Sequence, residues 1–311
     1  MRLILTGGLG HIGTGLLDKV IKLKKLKEII VIDNAISIKP NILFGFKTKT
    51  SIKFIDEDVK NFNLDNLLIK NDVIVHLAAI TNAAESFKIK KKIFSNNFLV
   101  TKKIVDSASK KKTKCIFLSS TSVYGSNSKI MFEDDKNNLN PQSPYADCKI
   151  KEENYIKKIS KKNNLPCIIL RLGTIFGTSR GMRFHTAVNK FCYQAAMSKP
   201  LTIWKTAYNQ KRPYLDIEDA IRCIAFIINN NLFDRQIYNV VTKNISIKNL
   251  LENIKQYKKI KIEFVSNKIM NQLSYEANCE KILNKGFKFK GNLDYQIKKT
   301  LKLFSGINNE V

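Results

Sequence analysis

The chain has 311 residues, 44% of them apolar, and a formal charge of +28 at pH 7, which suits one large domain or two intimate lobes around a packed core. Its longest apolar runs, such as Ile221–Ile228, fall far short of a membrane span, so no transmembrane helix is expected. The charge comes from 47 lysines against 7 arginines, clustered at Lys88–Lys92 and Lys110–Lys112 among others. It reads as solvated helix faces that favour small anions, because a nucleic-acid surface would lean on arginine forks.

The first predicted strand, Leu3–Leu5, is too short for a signal-peptide core and runs straight into T-G-G-L-G-H-I-G. Gly7, Gly10 and Gly13 stand at relative positions 1, 4 and 7 before a helix predicted over Gly13–Lys25. One glycine permits the tight turn, one lets the backbone approach a pyrophosphate, and one lets helix and strand pack closely. The helix N-terminus, with His11 and Ile12 beside it, then offers unpaired N–H groups to phosphates. The next strand, Ile29–Ile32, ends in Asp33-Asn34, with Asp33 twenty residues beyond Gly13. A carboxylate there accepts both ribose hydroxyls and repels a 2′-phosphate, so NAD is expected rather than NADP.

The strand Ile52–Ile55 is followed by Asp58-Val59, placed to meet the adenine. The strand Val73–His76 is followed by Leu77-Ala78-Ala79, small enough to leave room for a cofactor, with His76 a packed strand-end residue. Helices are expected over Asn63–Lys70 and Lys88–Lys110. The strand Cys115–Ser119 leads to hydroxyls at Ser120, Thr121 and Ser122, where open parallel sheets bind ligands. A helix predicted over Tyr145–Lys162 then carries Tyr145 and Lys149 on one face. An ammonium at Lys149 would lower the Tyr145 pKa towards that of a neutral-pH base. The spacing recurs at Tyr257/Lys261 and Tyr295/Lys299, so context rather than spacing selects the first pair.

Strand and helix at this rhythm, closed by Cys167–Leu170, predict an α/β, Rossmann-like, doubly wound parallel sheet over residues 1–177. Residues 178–311 are expected to form mostly a smaller α/β lobe that binds substrate. Its helices are predicted at Asn189–Met197, Glu218–Asn229 and Ile247–Tyr257, and its short strands near Leu201–Trp204 and Ile262–Val265. Arg183 and His185 read equally as ligand contacts or as ordinary loop polar groups, and Trp204 as a packing residue of this lobe. The six cysteines are scattered without a C-x-x-C pair, which argues against a metal site and a disulfide framework and fits a cytoplasmic protein.

The motifs T-G-G-L-G-H-I-G, V-I-D-N, H-L-A-A, S-S-T-S-V-Y-G, Y-A-D-C-K, R-L-G-T-I-F-G and R-P-Y-L-D-I-E-D-A occur in that order. With them the chain resembles an extended short-chain dehydrogenase/reductase of the NAD-dependent nucleotide-sugar epimerase/dehydratase family. The resemblance implies a triad of Ser120, Tyr145 and Lys149 that oxidises C4 of a nucleotide-diphosphate sugar to a 4-keto intermediate. It implies Tyr145 as base, Ser120 on the reacting oxygen and Lys149 also on the nicotinamide ribose. It further implies Asn97 on the cofactor side, Arg212 on the substrate diphosphate and the place of Thr174 near the sugar and phosphate; Thr121 and Arg183 are kept as candidate substrate contacts beside them. His11, where an aromatic is frequent, is expected to pack beside the pyrophosphate. Related 4,6-dehydratases carry an Asp-Glu pair where this chain has Thr121-Ser122, and sugar-acid decarboxylases carry Glu at the place of Ser122. Many 4-epimerases have Asn at the place of Thr174. The resemblance thus favours a 4-epimerase, with a 4-dehydrogenase, a 4-ketoreductase and a non-catalytic NAD(H)-binding protein as alternatives. It also implies polysaccharide synthesis as a setting and a homodimer, with no membrane or nucleic-acid partner.

Overall fold

A computed structural model describes residues 1–19, 26–36, 40–46, 50–83, 85–125, 129–266 and 274–307. Its strands run in chain order as β1 (Arg2–Thr6), β2 (Glu28–Asp33), β3 (Ser51–Asp56), β4 (Val73–His76), β5 (Lys114–Ser120), β6 (Ile130–Met131) and β7 (Cys167–Leu172). They continue as β8 (Thr174–Phe176), β9 (Leu201–Trp204), β10 (Lys211–Asp216), β11 (Ile237–Val240), β12 (Lys243–Ser246), β13 (Ile262–Val265) and β14 (Glu276–Ala277). The first helices are α1 (His11–Lys19), α2 (Leu64–Leu67), α3 (Lys90–Ile93), α4 (Leu99–Lys111) and α5 (Pro144–Asn163). They are followed by α6 (Ala187–Ala196), α7 (Ile217–Asn229), α8 (Ile247–Lys255), α9 (Glu280–Leu283) and α10 (Leu293–Lys302).

Seven strands pair in the order β11-β7-β5-β4-β1-β2-β3, every pairing parallel. Successive side chains of each strand alternate between the two faces. Leu3, Leu5, Ile29 and Val31 face one way and meet Leu16 and Leu17 of α1 and Ile221 and Ile224 of α7. Ile4, Ile30 and Ile32 face the other and meet Val100 and Ile104 of α4 and Ile156 of α5. Both faces are covered, which is why the strands read as unbroken apolar runs. The strand order reverses between β1 and β4, and that reversal opens a crevice at their carboxyl ends.

A second lobe lies beyond β7. A three-stranded sheet, β12-β10-β8, and the parallel pair β13-β9 share a core with α6, α8 and α10, built from Phe191, Leu201, Ile203, Tyr214, Leu250 and Ile297 among others. The two lobes interleave along the chain. Helix α7 and strand β11, both beyond residue 177, return to the first lobe, the strand as the seventh of the large sheet. The run Ile221–Ile228, expected to be apolar, contains Arg222; α7 buries Ile221, Cys223, Ile224, Ile227 and Ile228 of it there, with Ile217 and Ala220.

Three predicted helices differ in extent. The one expected over Asn63–Lys70 is a single turn capped by Asn63, whose side chain accepts the Asn66 N–H. The one expected over Lys88–Lys110 is interrupted by a π-helical segment, Phe94–Phe98, between α3 and α4. The last six residues of the stretch expected to be helical to Lys25 lie outside the described residues.

Candidate active site

The glycine loop joins β1 to α1. Gly7 has φ of +69°, and a Cβ there would lie 2.5 Å from the Ala78 backbone. A Cβ on Gly13 would lie 2.2 Å from the Gly8 carbonyl oxygen. Neither position admits a side chain, so the β1–α1 turn and its approach to the end of β4 require glycine. Gly10 differs, because its missing Cβ leaves room beside the Arg183 guanidinium. Gly7, Gly10, His11, Ile12 and Gly13 form one end of a cavity of about 950 Å³, and Leu77, Ala78 and Ala79 form its side. This cradle, open at Gly10 and facing a helix N-terminus, fits a dinucleotide pyrophosphate.

Asp33 ends β2 against that loop. Its carboxylate accepts the Leu9 N–H at 3.0 Å and the Ala35 N–H at 2.9 Å. Asn34 reaches across to Asp58, its amide donating to Oδ2 at 3.2 Å. Val59 is buried in the core beside β2 and β4 and does not line the cavity. Asn97 sits on the π-helical segment and is 1% exposed. Its amide accepts the Ile80 N–H and donates to the Ile80 carbonyl, both at 2.9 Å. It therefore pins the loop after β4 and does not itself line the cavity, and the inserted π turn carries it to that loop.

Helix α5 starts where the Ser143 hydroxyl accepts the Ala146 N–H and Pro144 takes the first turn. That start sets Tyr145 and Lys149 on the cavity wall beside Ser120, which follows β5. Tyr145 is 8% exposed and Lys149 4%, whereas the look-alike tyrosines Tyr257 and Tyr295 are exposed at 37% and 56%. The Ser120 hydroxyl accepts the Ser122 N–H at 3.1 Å, which fixes the turn after β5. Lys149 Nζ donates to the Leu118 carbonyl at 2.9 Å and to Glu152 at 2.8 Å. Burial pulls the Lys149 pKa down, but Glu152 and Tyr145 outweigh it and the net shift is upward. Burial pushes the Tyr145 pKa up; Lys149 pulls it down, and the net is still above the ordinary value. The depression expected of Lys149 is thus present but outweighed by the dry surroundings of the ring.

His11 is held by its ring, whose Nε2 donates to the Gly177 carbonyl at 3.0 Å. Burial lowers its pKa to about 4, so it is neutral at physiological pH. Ser179 donates to the His11 carbonyl at 2.9 Å, and the Gly181 N–H donates to Thr14 at 2.9 Å. Residues 177–181, from the middle of the chain, therefore strap the glycine loop and the start of α1. His76 accepts no catalytic geometry: its ring lies between Thr6 at 2.8 Å and Thr101 at 3.0 Å, and burial lowers its pKa to about 3.

The second lobe supplies the rest of the wall. Thr174, Arg183, His185 and Arg212 all line the cavity. Arg183 donates to Thr81, and Arg212 stacks over Tyr275 with 5.4 Å from guanidinium carbon to ring centre. Trp204, expected to pack within the lobe, also reaches the cavity from the end of β9. Thr121 is placed differently from expectation: it is 4% exposed, and its carbonyl accepts the Tyr275 hydroxyl at 2.9 Å. Ser122 takes the wall position, its hydroxyl buried without a hydrogen-bond partner among the described residues. Ser122 was legible as part of the hydroxyl cluster, but the turn after β5 decides which of these residues line the wall. Among the described residues lining the cavity there is no aspartate or glutamate, whereas Lys149, Arg183, Lys190, Lys199 and Arg212 all reach it. No group of His, Cys, Asp and Glu side chains that could hold a metal occurs among the described residues, and no helix there is long and apolar enough to cross a membrane.

The pattern of the NAD-dependent epimerase/dehydratase family matches residues 3–240. A dTDP-D-glucose 4,6-dehydratase of Dictyostelium discoideum is 27% identical, over 99% of this chain and 86% of its own. An ADP-L-glycero-D-manno-heptose-6-epimerase of Brachyspira hyodysenteriae is 29% identical, over 85% of this chain and 84% of its own. Among solved structures, the UDP-glucuronic acid 4-epimerase of Bacillus cereus, in complex with UDP-glucuronic acid and NAD, superposes with a TM-score of 0.85. It is 27% identical and covers 98% of this chain and 99% of its own. With a glycine cradle and a buried Tyr/Lys pair on one cleft, and an acidic residue ending β2 against the glycine loop, the chain belongs to the NAD-dependent epimerase/dehydratase family and is an NAD-dependent enzyme of the extended short-chain dehydrogenase/reductase type.

Proposed function

We propose that the protein is a nucleotide-sugar 4-epimerase, and that Ser120, Tyr145 and Lys149 carry its chemistry. The observation that carries this reading is a single cavity with Tyr145, Lys149 and Ser120 on its wall, the glycine cradle at one end and no carboxylate lining it. In this reading Gly7, Gly10 and Gly13 bind the pyrophosphate of NAD, Asp33 the adenosine ribose, and Asn34, Asp58 and Val59 border the adenine. NAD, when bound, supplies the hydride acceptor. Tyr145 takes the proton of the sugar 4-hydroxyl, Ser120 donates a hydrogen bond to the reacting oxygen, and Lys149 orients the nicotinamide ribose. Arg212 grips the diphosphate, with Arg183, Thr174 and the Ser122 hydroxyl towards the sugar. The surplus of cationic side chains on the wall suits an anionic substrate such as a nucleotide-diphosphate sugar.

Loss of a 6-hydroxyl is commonly assisted by a positioned carboxylic acid, and among the described residues no aspartate or glutamate lines the wall. This supports epimerisation over the dehydration named for the Dictyostelium relative. Residues 1–177 with α7 and β11 would hold the cofactor, and the remainder would hold the substrate. A homodimer is proposed through the face of α3, α4 and α5, where Phe94 and Leu99 are 39% and 46% exposed. The free and mostly buried thiols agree with a reducing cytoplasm, where nucleotide sugars for polysaccharides are made.

The test is made on the protein as purified. Cofactor released by denaturation is identified by mass, and the native protein is incubated with a panel of nucleotide-diphosphate sugars. Tightly bound NAD and interconversion of 4-epimers, without net NADH, are expected. Accumulation of NADH with a free 4-keto sugar would make it a dehydrogenase instead, and no response to any sugar would remove the enzymatic reading.

A further inference from the structure

Residues 145, 149 and 152 share one face of α5, spaced by four and three. Glu152 is 4% exposed, as is Lys149, and their ion pair of 2.8 Å is closed off from water. Among the described residues, the hydrogen bonds of the Glu152 carboxylate go to its own helix: Lys149 on one oxygen and the Cys148 thiol, at 3.5 Å, on the other. The adjacent Glu153 is occupied elsewhere. It pairs with Arg171 through both oxygens, at 2.9 and 2.7 Å, and accepts the Ser119 hydroxyl at 2.6 Å. Glu153 thus ties α5 to β5 and β7, while Glu152 addresses the lysine of the site.

The ammonium of Lys149 has three N–H groups. One goes to Glu152 and one to the Leu118 carbonyl. Its Nζ lies 5.9 Å from the centre of the Tyr145 ring. The charged and titratable groups facing this pair are few. Helix α5 offers Cys148, whose pKa burial pushes up to about 12, so it stays a thiol. Strand β4 offers neutral His76, and the second lobe offers the Arg183 guanidinium. Glu152 is therefore the one carboxylate acting on Tyr145 from its own helix face.

We propose that Glu152 is a positioning residue: its buried carboxylate locks the Lys149 ammonium against the Leu118 carbonyl and cancels much of that ammonium's field at the Tyr145 hydroxyl. The inference rests on Tyr145 being the base of the proposed reaction. Its consequence is a site whose lysine is fixed in place but electrostatically quiet, so that proton release from Tyr145 is held to higher pH. Burial, Lys149 and Glu152 act on Tyr145 in that order of size, with Glu152 pushing its pKa up.

The test is a spectroscopic titration of Tyr145 in the NAD-saturated protein. Tyrosinate absorbance is followed against pH in wild type and in Tyr145→Phe, and the difference isolates Tyr145. The same subtraction is made for Glu152→Gln and Glu152→Gln/Tyr145→Phe. Gln keeps an acceptor for Lys149 and removes the charge. The Tyr145 midpoint is expected to fall by about one pH unit, and the acid limb of kcat/KM to move with it, giving about tenfold more activity below the midpoint. A midpoint that stays in place or rises overturns the proposal, because a purely structural glutamate would be replaced by glutamine without moving it. If Glu152→Gln does not fold, Lys149→Met is compared with Lys149→Met/Glu152→Gln, which removes both buried charges. The double variant must titrate Tyr145 lower than the single, and equal midpoints overturn the proposal. The absorbance is read without turnover. A Tyr145 that titrates as expected in a protein inert towards every sugar would refute the proposed function and leave the role of Glu152 standing.

Discussion

The two ends of the cleft are assembled from very different lengths of chain. The proposed cofactor end draws on β1 and α1, with Gly7, Gly10 and Gly13 on the cavity and Asp33 of β2 holding the loop through the Leu9 N–H, all within the first few dozen residues. The sugar end draws Ser120 from β5, Tyr145 from α5, Thr174 from β8, Arg183 from the loop before α6 and Arg212 from β10. Short-range geometry fixes the first end, since a strand, a glycine turn and a helix N-terminus already make a phosphate cradle. The second exists only once α5 has docked on the large sheet and the second lobe has closed over the strand ends. Substitutions at the two ends are therefore expected to separate into effects on chemistry, on substrate and on cofactor.

The largest effect is expected at Tyr145. Tyr145→Phe removes the proton acceptor and leaves the glycine loop and Asp33 intact. Single-turnover assays should show about a thousandfold loss in kcat, while calorimetry shows NAD binding unchanged. Retained turnover would remove Tyr145 from its proposed role. Arg212→Ala comes next. It deletes a charged contact of about 1.5–3 kcal/mol, or roughly 10- to 150-fold in KM for the nucleotide sugar. NAD affinity should not change, and a weakened cofactor would show that the two ends are not separable. Asp33→Asn tests the opposite end. Because the amide keeps one acceptor for the loop N–H groups, NAD binding should weaken only about tenfold, with discrimination against NADP falling at the same time. An unchanged Kd for both cofactors would take the ribose away from Asp33.

The buried polar groups sharpen the same contrast. At the cofactor end, His11 and Asn97 are locked by backbone partners, Gly177 and Ile80. At the sugar end the Ser122 hydroxyl has no partner among the described residues. An unsatisfied buried hydroxyl is costly, so the two ends differ in how fully their buried polar groups are paired.

The parallel sheet was legible because strands buried on both faces must be apolar throughout, and the glycine spacing because Gly7 and Gly13 have no room for a Cβ. The Tyr145/Lys149 pair was picked out by its place after the hydroxyl cluster, and it is buried on the cavity wall, whereas Tyr257 and Tyr295 are exposed. Less visible were the interruption of the Lys88–Lys110 helix, the strap of residues 177–181 over the glycine loop, and the exchange of Thr121 for Ser122 on the wall. Each depends on a contact between residues distant in the chain, such as Asn97 with Ile80 or Tyr275 with Thr121.

By itself, the sequence determined the order of strands and helices, the glycine turn between β1 and α1 and the placing of Tyr145 and Lys149 on one helix face, because periodicity, glycine geometry and helix spacing act over a few residues. Tertiary structure decided the electrostatics. Burial raises the Tyr145 pKa against the pull of Lys149, and Glu152 rather than bulk water meets that lysine. A pKa is set by everything packed around the group, and only the folded chain brings α5, β5 and the second lobe together around one hydroxyl.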